Sequence, residues 1–187
     1  TFTPAEGENT LPTIKALYNM PEVSAKLEMT YRMNNDGALQ VTQQLRADVS
    51  RKDVPDMFRF GMQLVMPKQF GPEENYADRN HSTFMGRYRQ LVSDQFYPYV
   101  RPQETGSKSD VRWWKVVDVD GRGLAFSAEQ PFFATALHYL TSDLDDGDKK
   151  HQRHSGELHE RDLTCVSIDG RQMGLGCVDS WGSLPLP

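Results

Sequence analysis

Leu27-Glu28-Met29-Thr30-Tyr31-Arg32-Met33 runs into Asn34-Asn35-Asp36-Gly37, and this stretch decides the fold class. Its odd positions from 27 to 33 are apolar and its even positions polar. That is the period-two pattern of a strand with one face buried. Asn34-Asn35-Asp36-Gly37 then supplies turn chemistry. Leu39, Val41, Leu45, Ala47 and Val49 resume the alternation beyond it. The segment predicts a β-hairpin.

Outward from the hairpin the same period recurs. Phe60, Met62, Leu64 and Met66 mark a strand stopped by Pro67. Val111-Arg112-Trp113-Trp114-Lys115-Val116-Val117 is another, turned by Asp120-Gly121 toward Leu124-Ala125-Phe126. Leu163-Thr164-Cys165-Val166-Ser167-Ile168 is one more, expected to end at Asp169-Gly170. Helix signals are few. Thr141-Ser142-Asp143-Leu144 fits a single capped turn, and Ala16-Leu17-Tyr18-Asn19-Met20 a short helix stopped by Pro21. No repeat has a solenoid or propeller period. Many short strands joined by Asp-Gly turns argue an all-β antiparallel sandwich. The expectation is one domain over residues 13–187, preceded by a polar, proline-containing linker or frayed end over residues 1–12.

A chain of 187 residues is long enough to bury a sizeable core. Its net charge of −5 disfavours a nucleic-acid partner, whose phosphates select clustered Lys and Arg. No apolar run is long enough to span a bilayer as a helix. The two cysteines, Cys165 and Cys177, are too few for a disulfide scaffold and fit no zinc spacing. They read as structural thiols.

Chemistry concentrates in three blocks. The first is Gly71-Pro72-Glu73-Glu74-Asn75-Tyr76-Ala77-Asp78-Arg79. The second is Tyr97-Pro98-Tyr99-Val100-Arg101-Pro102-Gln103-Glu104-Thr105-Gly106, followed by Asp110-Val111-Arg112-Trp113. The third is Arg171-Gln172-Met173-Gly174-Leu175-Gly176-Cys177-Val178-Asp179-Ser180-Trp181-Gly182. In the third, a glycine-punctuated strand end delivers an indole flanked by an acid and a hydroxyl. Pyranose C–H faces pack on aromatic faces while sugar hydroxyls need fixed polar partners, so the combination suits a sugar.

Taken in order, these blocks resemble the C-terminal β-sandwich domain of the large bacterial β-galactosidases of glycoside hydrolase family 2. The likeness spans roughly residues 55–183, and His151-Gln152-Arg153-His154-Ser155-Gly156-Glu157-Leu158 shares it. The resemblance implies a galactose-mutarotase-like supersandwich. It implies that Trp181 lines the mouth of the active site and stacks on substrate, with Asp179 and Ser180 bracing its loop. It makes Gly71–Arg79 a hinged loop beside the active site, in which Glu74 falls on the family's glutamate and Asn75, Tyr76, Asp78 and Arg79 anchor the loop. The chain departs from the family in two places. Lys68-Gln69-Phe70 runs straight into Gly71-Pro72, where the family has an aromatic-bearing strand, so a segment is either deleted or missing between 70 and 71. The chain also stops at Pro187, where the family continues into a final strand, so the expectation is an incomplete C-terminal fragment of a larger enzyme.

The hydrolytic carboxylates are not expected here. A retaining glycosidase sets two carboxyls about 5–5.5 Å apart across the sugar. Nothing places Glu73, Glu74, Glu104 and Glu157 as such a pair. A (β/α)₈ barrel needs about 250 residues and alternating helices, and the resemblance puts the catalytic glutamates on such a barrel elsewhere in the parent chain. His138, His151, His154 and His159 with Asp145, Asp146, Asp148 and Glu157 read as a solvated connection rather than a metal site. No cofactor is expected in this domain; the resemblance implies magnesium, in some members sodium, for the intact enzyme. The implied partners are a β-galactoside, the catalytic barrel of the same chain and further copies in a homo-oligomer, with no nucleic acid and no membrane. The alternative function is a non-catalytic carbohydrate-binding or mutarotase-like sandwich module.

Overall fold

The computed structural model describes residues 1–3, 12–54, 57, 59–79, 107–144 and 155–172, with the backbone alone for residues 72–79 and Ser155. The fold class is all-β: two antiparallel sheets with almost no helix among the described residues, the make-up expected of a sandwich. The chain divides into two compact units, Thr1–Met57 and Phe58–Pro187.

The first unit is a four-stranded sheet in the order β1 (Phe2–Thr3), β2 (Thr13–Met20), β3 (Ala25–Met33), β4 (Leu39–Ala47). The predicted hairpin is β3–β4, and Gly37 takes the left-handed φ of +84° that its turn demands. The predicted helix over Ala16–Met20 is instead the end of β2. Its residues pair with β3 from Thr13↔Arg32 to Met20↔Ala25. A five-residue segment gains little from helix formation, whereas this ladder satisfies its backbone along its whole length. Pro21 opens a 3-10 turn rather than ending a helix. Within the expected linker, Phe2–Thr3 pairs with β2.

The second unit is a five-stranded sheet in the order β5 (Arg59–Pro67), β9 (Leu163–Gln172), β8 (Gly123–Leu137), β7 (Lys108–Val117), β6 (Gly71–Arg79). β5 and β6 are consecutive in sequence yet lie at opposite edges. In a flat sheet four interstrand steps would separate them by about 19 Å. Moving from Pro67 to Gly71 covers at most about 14 Å of extended chain, and Phe70 N donates to Pro67 O at 3.0 Å, which shortens the reach further. The sheet therefore curls until its edges approach at that corner. β8 is irregular along its pairing with β7. Its register with β7 jumps from Val111↔Phe132 to Trp113↔Ser127, so that residues 128–131 stand against Arg112 alone. Pro131, which has no N–H to give, falls in that irregular stretch. Asp110, at φ +55°, lies in a second irregularity between Lys108 and Val111.

The core fills the inside of the curl. Met66, Val111, Trp114, Val116, Phe132, Ala134 and Val166 are buried together, with Leu64, Phe70, Phe126, Ala136 and Ile168 against them. A satellite of Tyr139, Leu144 and Leu158 packs under α1 (Thr141–Leu144), the predicted single turn. There Asp143 accepts from Leu140 N at 2.8 Å, one half of a capping box, and is gripped by Arg161 through Nε and Nη2, each at 2.6 Å.

Two further expectations change. β9 does not end at Asp169-Gly170 but continues to Gln172, because Arg59 meets the buried Asp169 and a bulge absorbs Gly170. Gly71–Arg79 is not a hinged loop but the edge strand β6. Pro72 is tolerable there because an edge strand has one side that needs no ladder hydrogen bond. The register slips at Glu73 on β6 and at Arg112 on β7, so the strand is kinked rather than regular.

Candidate functional site

The three sequence blocks can be followed from the strands that carry them. β6 ends at Arg79, whose register partner on β7 is Ser109. Ser107, just before β7, donates through Oγ to Gln172 Oε1 at 3.3 Å. Gln172 is the last residue of β9, and its register partner is Arg59, the first of β5. The end of the first block, the approach to the motif at Asp110–Trp113, and the start of the third block thus meet at one end of the curled sheet.

That end carries buried polar groups. Ser107, Ser109, Asp169 and Gln172 are all buried. Asp169 is only 4% exposed, and its Oδ2 accepts from Arg59 Nη2 at 2.6 Å and Nε at 3.1 Å. Burial pushes the Asp169 carboxyl above its ordinary value. The Arg59 charge and its hydrogen bonds oppose that shift without reversing it. Gly61 is a steric requirement of the same cluster: a Cβ there would overlap Ile168 O, Asp169 Oδ1 and Asp169 Cα.

The register explains how these groups converge. Asp169 pairs with Gly61, but Arg171 pairs with Phe60, so one residue, Gly170, is extra on β9. In a regular strand Asp169 and Gln172, three apart, would point to opposite faces. The bulge restores both to the face of Arg59.

The individual candidates fall as follows. Trp181, Asp179 and Ser180 lie outside the described residues, as do Cys177, His151, His154, Asp145, Asp146 and Asp148. Gly71 opens β6 opposite Val117. Glu74, Asn75 and Tyr76 stand opposite Lys115, Trp114 and Trp113, and Asp78 and Arg79 complete the strand. Trp114 is core, at 1% exposed, while Trp113 is 38% exposed with Lys115 Nζ 5.6 Å from its ring centre. Cys165 is buried, and burial raises its thiol's affinity for the proton. His138 Nδ1 meets Leu163 O at 2.9 Å and Thr164 Oγ1 at 3.3 Å, so it serves the sheet backbone. Among the described residues, no group of three or more His, Cys, Asp or Glu is arranged to hold a metal.

Sequence reasoning missed Arg59, Gly61, Ser107, Asp169 and Gln172. Asp169-Gly170 reads as a turn, and no local signal ties it to an arginine 110 residues away. The usable sign was that Cys165, Ser167 and Asp169 extend one alternation past the presumed stop.

Comparison with known proteins adds a family. Residues 2–187 match the family described as beta galactosidase small chain. A beta-galactosidase of Lactobacillus delbrueckii subsp. bulgaricus is 33% identical over 179 residues, covering 90% of this chain and 17% of that protein. One from Priestia megaterium is 32% identical over 165 residues, covering 84% of this chain and 15% of that protein. One from Streptococcus thermophilus is 29% identical over 193 residues, covering 98% and 18% respectively. The chain spans less than a fifth of the length of these relatives.

Proposed function

The chain belongs to the beta galactosidase small chain family, and we propose on that premise that it is a non-catalytic domain of a β-galactosidase. In this reading the intact protein hydrolyses terminal non-reducing β-D-galactose residues with retention, as a member of glycoside hydrolase family 2. The nucleophile and acid/base carboxylates belong to a barrel elsewhere in the parent polypeptide. This domain supplies one wall of the substrate pocket, with Trp181 against the sugar, Asp179 and Ser180 bracing it, and the β6 segment bordering the pocket.

The observation that carries the proposal is the meeting of Arg79, Ser107 and Gln172 at one end of the sheet. The described residues at the end of the first block, before Asp110–Trp113 and at the start of the third block adjoin one another, which supports reading the three blocks together. Magnesium, with sodium in some members, would act in the intact enzyme. The described residues offer no ligand set for either ion, and no step of the proposed role runs through a metal.

Trp181→Ala in the full-length enzyme tests the proposal. Losing a stacked aromatic removes about 1–3 kcal/mol of apolar contact. KM should rise about ten- to a hundredfold, with a smaller change in kcat. Trp113→Ala, half-exposed on β7, is the control. An unchanged KM for Trp181→Ala, or a rise confined to Trp113→Ala, removes Trp181 from the pocket. The excised domain should not turn over an activated aryl galactoside, and turnover by material free of host enzyme would contradict its non-catalytic role.

A further inference from the structure

We infer that β4 is an assembly edge: two copies of this chain join by antiparallel pairing of β4 with β4, about a two-fold axis centred on Gln43. The inference goes beyond the pocket-wall reading and does not depend on it.

The sheet edges among the described residues are not alike. A long, regular edge strand presents a row of N–H and C=O groups ready to pair with another chain, and proteins blunt such edges with prolines, bulges, charges or shortness. β5 has a bulge at Gly61 and ends on Pro67. β6 has Pro72 and two register irregularities. β1 is two residues long and, with Lys15 N donating to Thr1 O, leaves only Ala16–Met20 of β2 open before Pro21. β4 has none of these devices. It runs for nine residues, Leu39-Gln40-Val41-Thr42-Gln43-Gln44-Leu45-Arg46-Ala47, without proline or glycine, and pairs with β3 at every position with no slip. Its one charge is Arg46. Among the described residues no strand lies on its outer side.

The order of residues in β4 says which partner fits. Laid antiparallel on itself about Gln43, Leu39 meets Ala47, Val41 meets Leu45 and Gln43 meets Gln43. All of these stand on the face that Met33, Tyr31, Met29 and Leu27 of β3 share. On the other face Gln40 meets Arg46 and Thr42 meets Gln44. Apolar meets apolar and polar meets polar. The single arginine faces an amide rather than its own copy, so no like charges oppose. Each residue meets one of its own parity, so every outward backbone group finds an outward partner, which makes about eight to ten main-chain hydrogen bonds. A slip of one residue would put the two apolar faces on opposite sides of the joined sheet. In register, the apolar face runs on from one copy to the other, and Leu39, 54% exposed in the single chain, gains a cross-strand neighbour. Both copies spend the same strand, so the contact closes at two.

Sedimentation equilibrium of the 187-residue chain tests this. Wild type should be a dimer that dissociates on dilution. Thr42→Lys with Gln44→Lys sets lysine against lysine wherever the two positions meet across the axis, and should weaken the dimer about tenfold. Thr42→Glu with Gln44→Lys sets opposite charges there and should keep the dimer at wild-type strength or tighter. Both positions are exposed, and thermal melting confirms that each pair leaves the fold intact. An equimolar mixture of Gln43→Lys and Gln43→Glu should associate more tightly than either variant alone, since the two side chains meet only across the axis. Asn19→Lys, which adds a charge at the opposite edge of the same sheet, should leave the dimer unchanged. A monomeric wild type overturns the proposal, and β4 is then left to a strand from elsewhere in the parent polypeptide. A dimer held equally well by the Lys–Lys and Glu–Lys pairs overturns it as well, because the contact then lies on another surface. Dissociation by Asn19→Lys to the same degree also overturns it, because charge anywhere on the sheet would then suffice.

Discussion

The sheet β1–β4 and the sheet β5–β9 use the same alternating residues to opposite ends. β2, β3 and β4 pair from Thr13↔Arg32 and Ala25↔Ala47 onward without a single register shift. Yet among the described residues of that unit only Ala25 is buried. Ile14, Ala16, Tyr18, Leu27, Met29, Tyr31, Val41 and Leu45 share one face, and Lys15, Lys26, Glu28, Arg32, Gln44 and Arg46 the other. The sheet β5–β9 slips register at Phe60/Gly61, Pro72/Glu74, Tyr76/Ala77 and between Lys108 and Trp113. It buries Thr164, Cys165, Val166 and Ser167 in succession and Asp169 beyond them, so both faces of β9 are covered. A regular sheet needs only its alternation. A sheet that curls onto a core and sends its strand ends to one place must break the alternation at chosen points.

Truncation should expose the difference most strongly. Trp114 is fully within the core of the second sheet, while Leu17 is 66% exposed on the polar side of the first. Trp114→Ala should cost about 4 kcal/mol, in the range for large aromatic deletions. Leu17→Ala should stay within about 0.5 kcal/mol. Urea unfolding of the two variants is the measurement. Similar midpoints would mean that the two sheets are not packed as differently as their burial indicates.

Glycines sharpen the contrast at smaller magnitude. Gly61→Ala puts a methyl group onto backbone atoms of Ile168 and Asp169, which should cost about 3 kcal/mol by overpacking. Gly37→Ala meets nothing within 4 Å but keeps a φ of +84°, so it should cost about 1 kcal/mol, the strain of a left-handed alanine. If Gly37→Ala were the worse of the two, the bulge at Asp169 would be soft.

Most of the regular sheet was legible in the sequence, because its information is local. Leu27–Met33 and Asn34–Gly37 state strand and turn without reference to anything distant. The core strands β5, β7 and β9 were legible for the same reason. Ala16–Met20 misled because a short apolar run fits either period, and only the partner β3 decides. Asp169-Gly170 misled because turn chemistry and bulge chemistry use the same residues. Gly71–Arg79 was expected as a loop from the resemblance, and the place of Pro72 at the sheet edge cannot be read from its neighbours. Trp181, Asp179 and Ser180 were marked by motif, and they lie beyond the described residues. The Arg59–Asp169 pair was invisible because charge pairing across 110 residues leaves no local trace.

The smallest expected effect separates the two regions by the sign of a titration. In the first unit Asp48 is held below the ordinary carboxylate range chiefly by the Ser50 hydroxyl, and Asp53 by hydrogen bonds from Arg51. A lowered native value means that the unfolded chain takes up protons first as pH falls. These two therefore contribute stability that is present above the unfolded value and lost on acidification. Both are fully exposed, so the effect should be slight. Asp169 runs the other way. Burial raises its native value despite Arg59, so between the unfolded and native values the unfolded chain has already released its proton while the native chain retains it. Its contribution is fully present below the unfolded value, falls as pH rises through the native value, and is flat beyond. Unfolding measured across the acid range should show that fall in wild type relative to Asp169→Asn. Arg59→Met should carry the fall to higher pH, because the charge that restrained the shift is gone. A wild-type stability that rises with pH relative to Asp169→Asn over that window would mean that Arg59 outweighs burial, and that Asp169 behaves like the surface carboxylates of the first sheet.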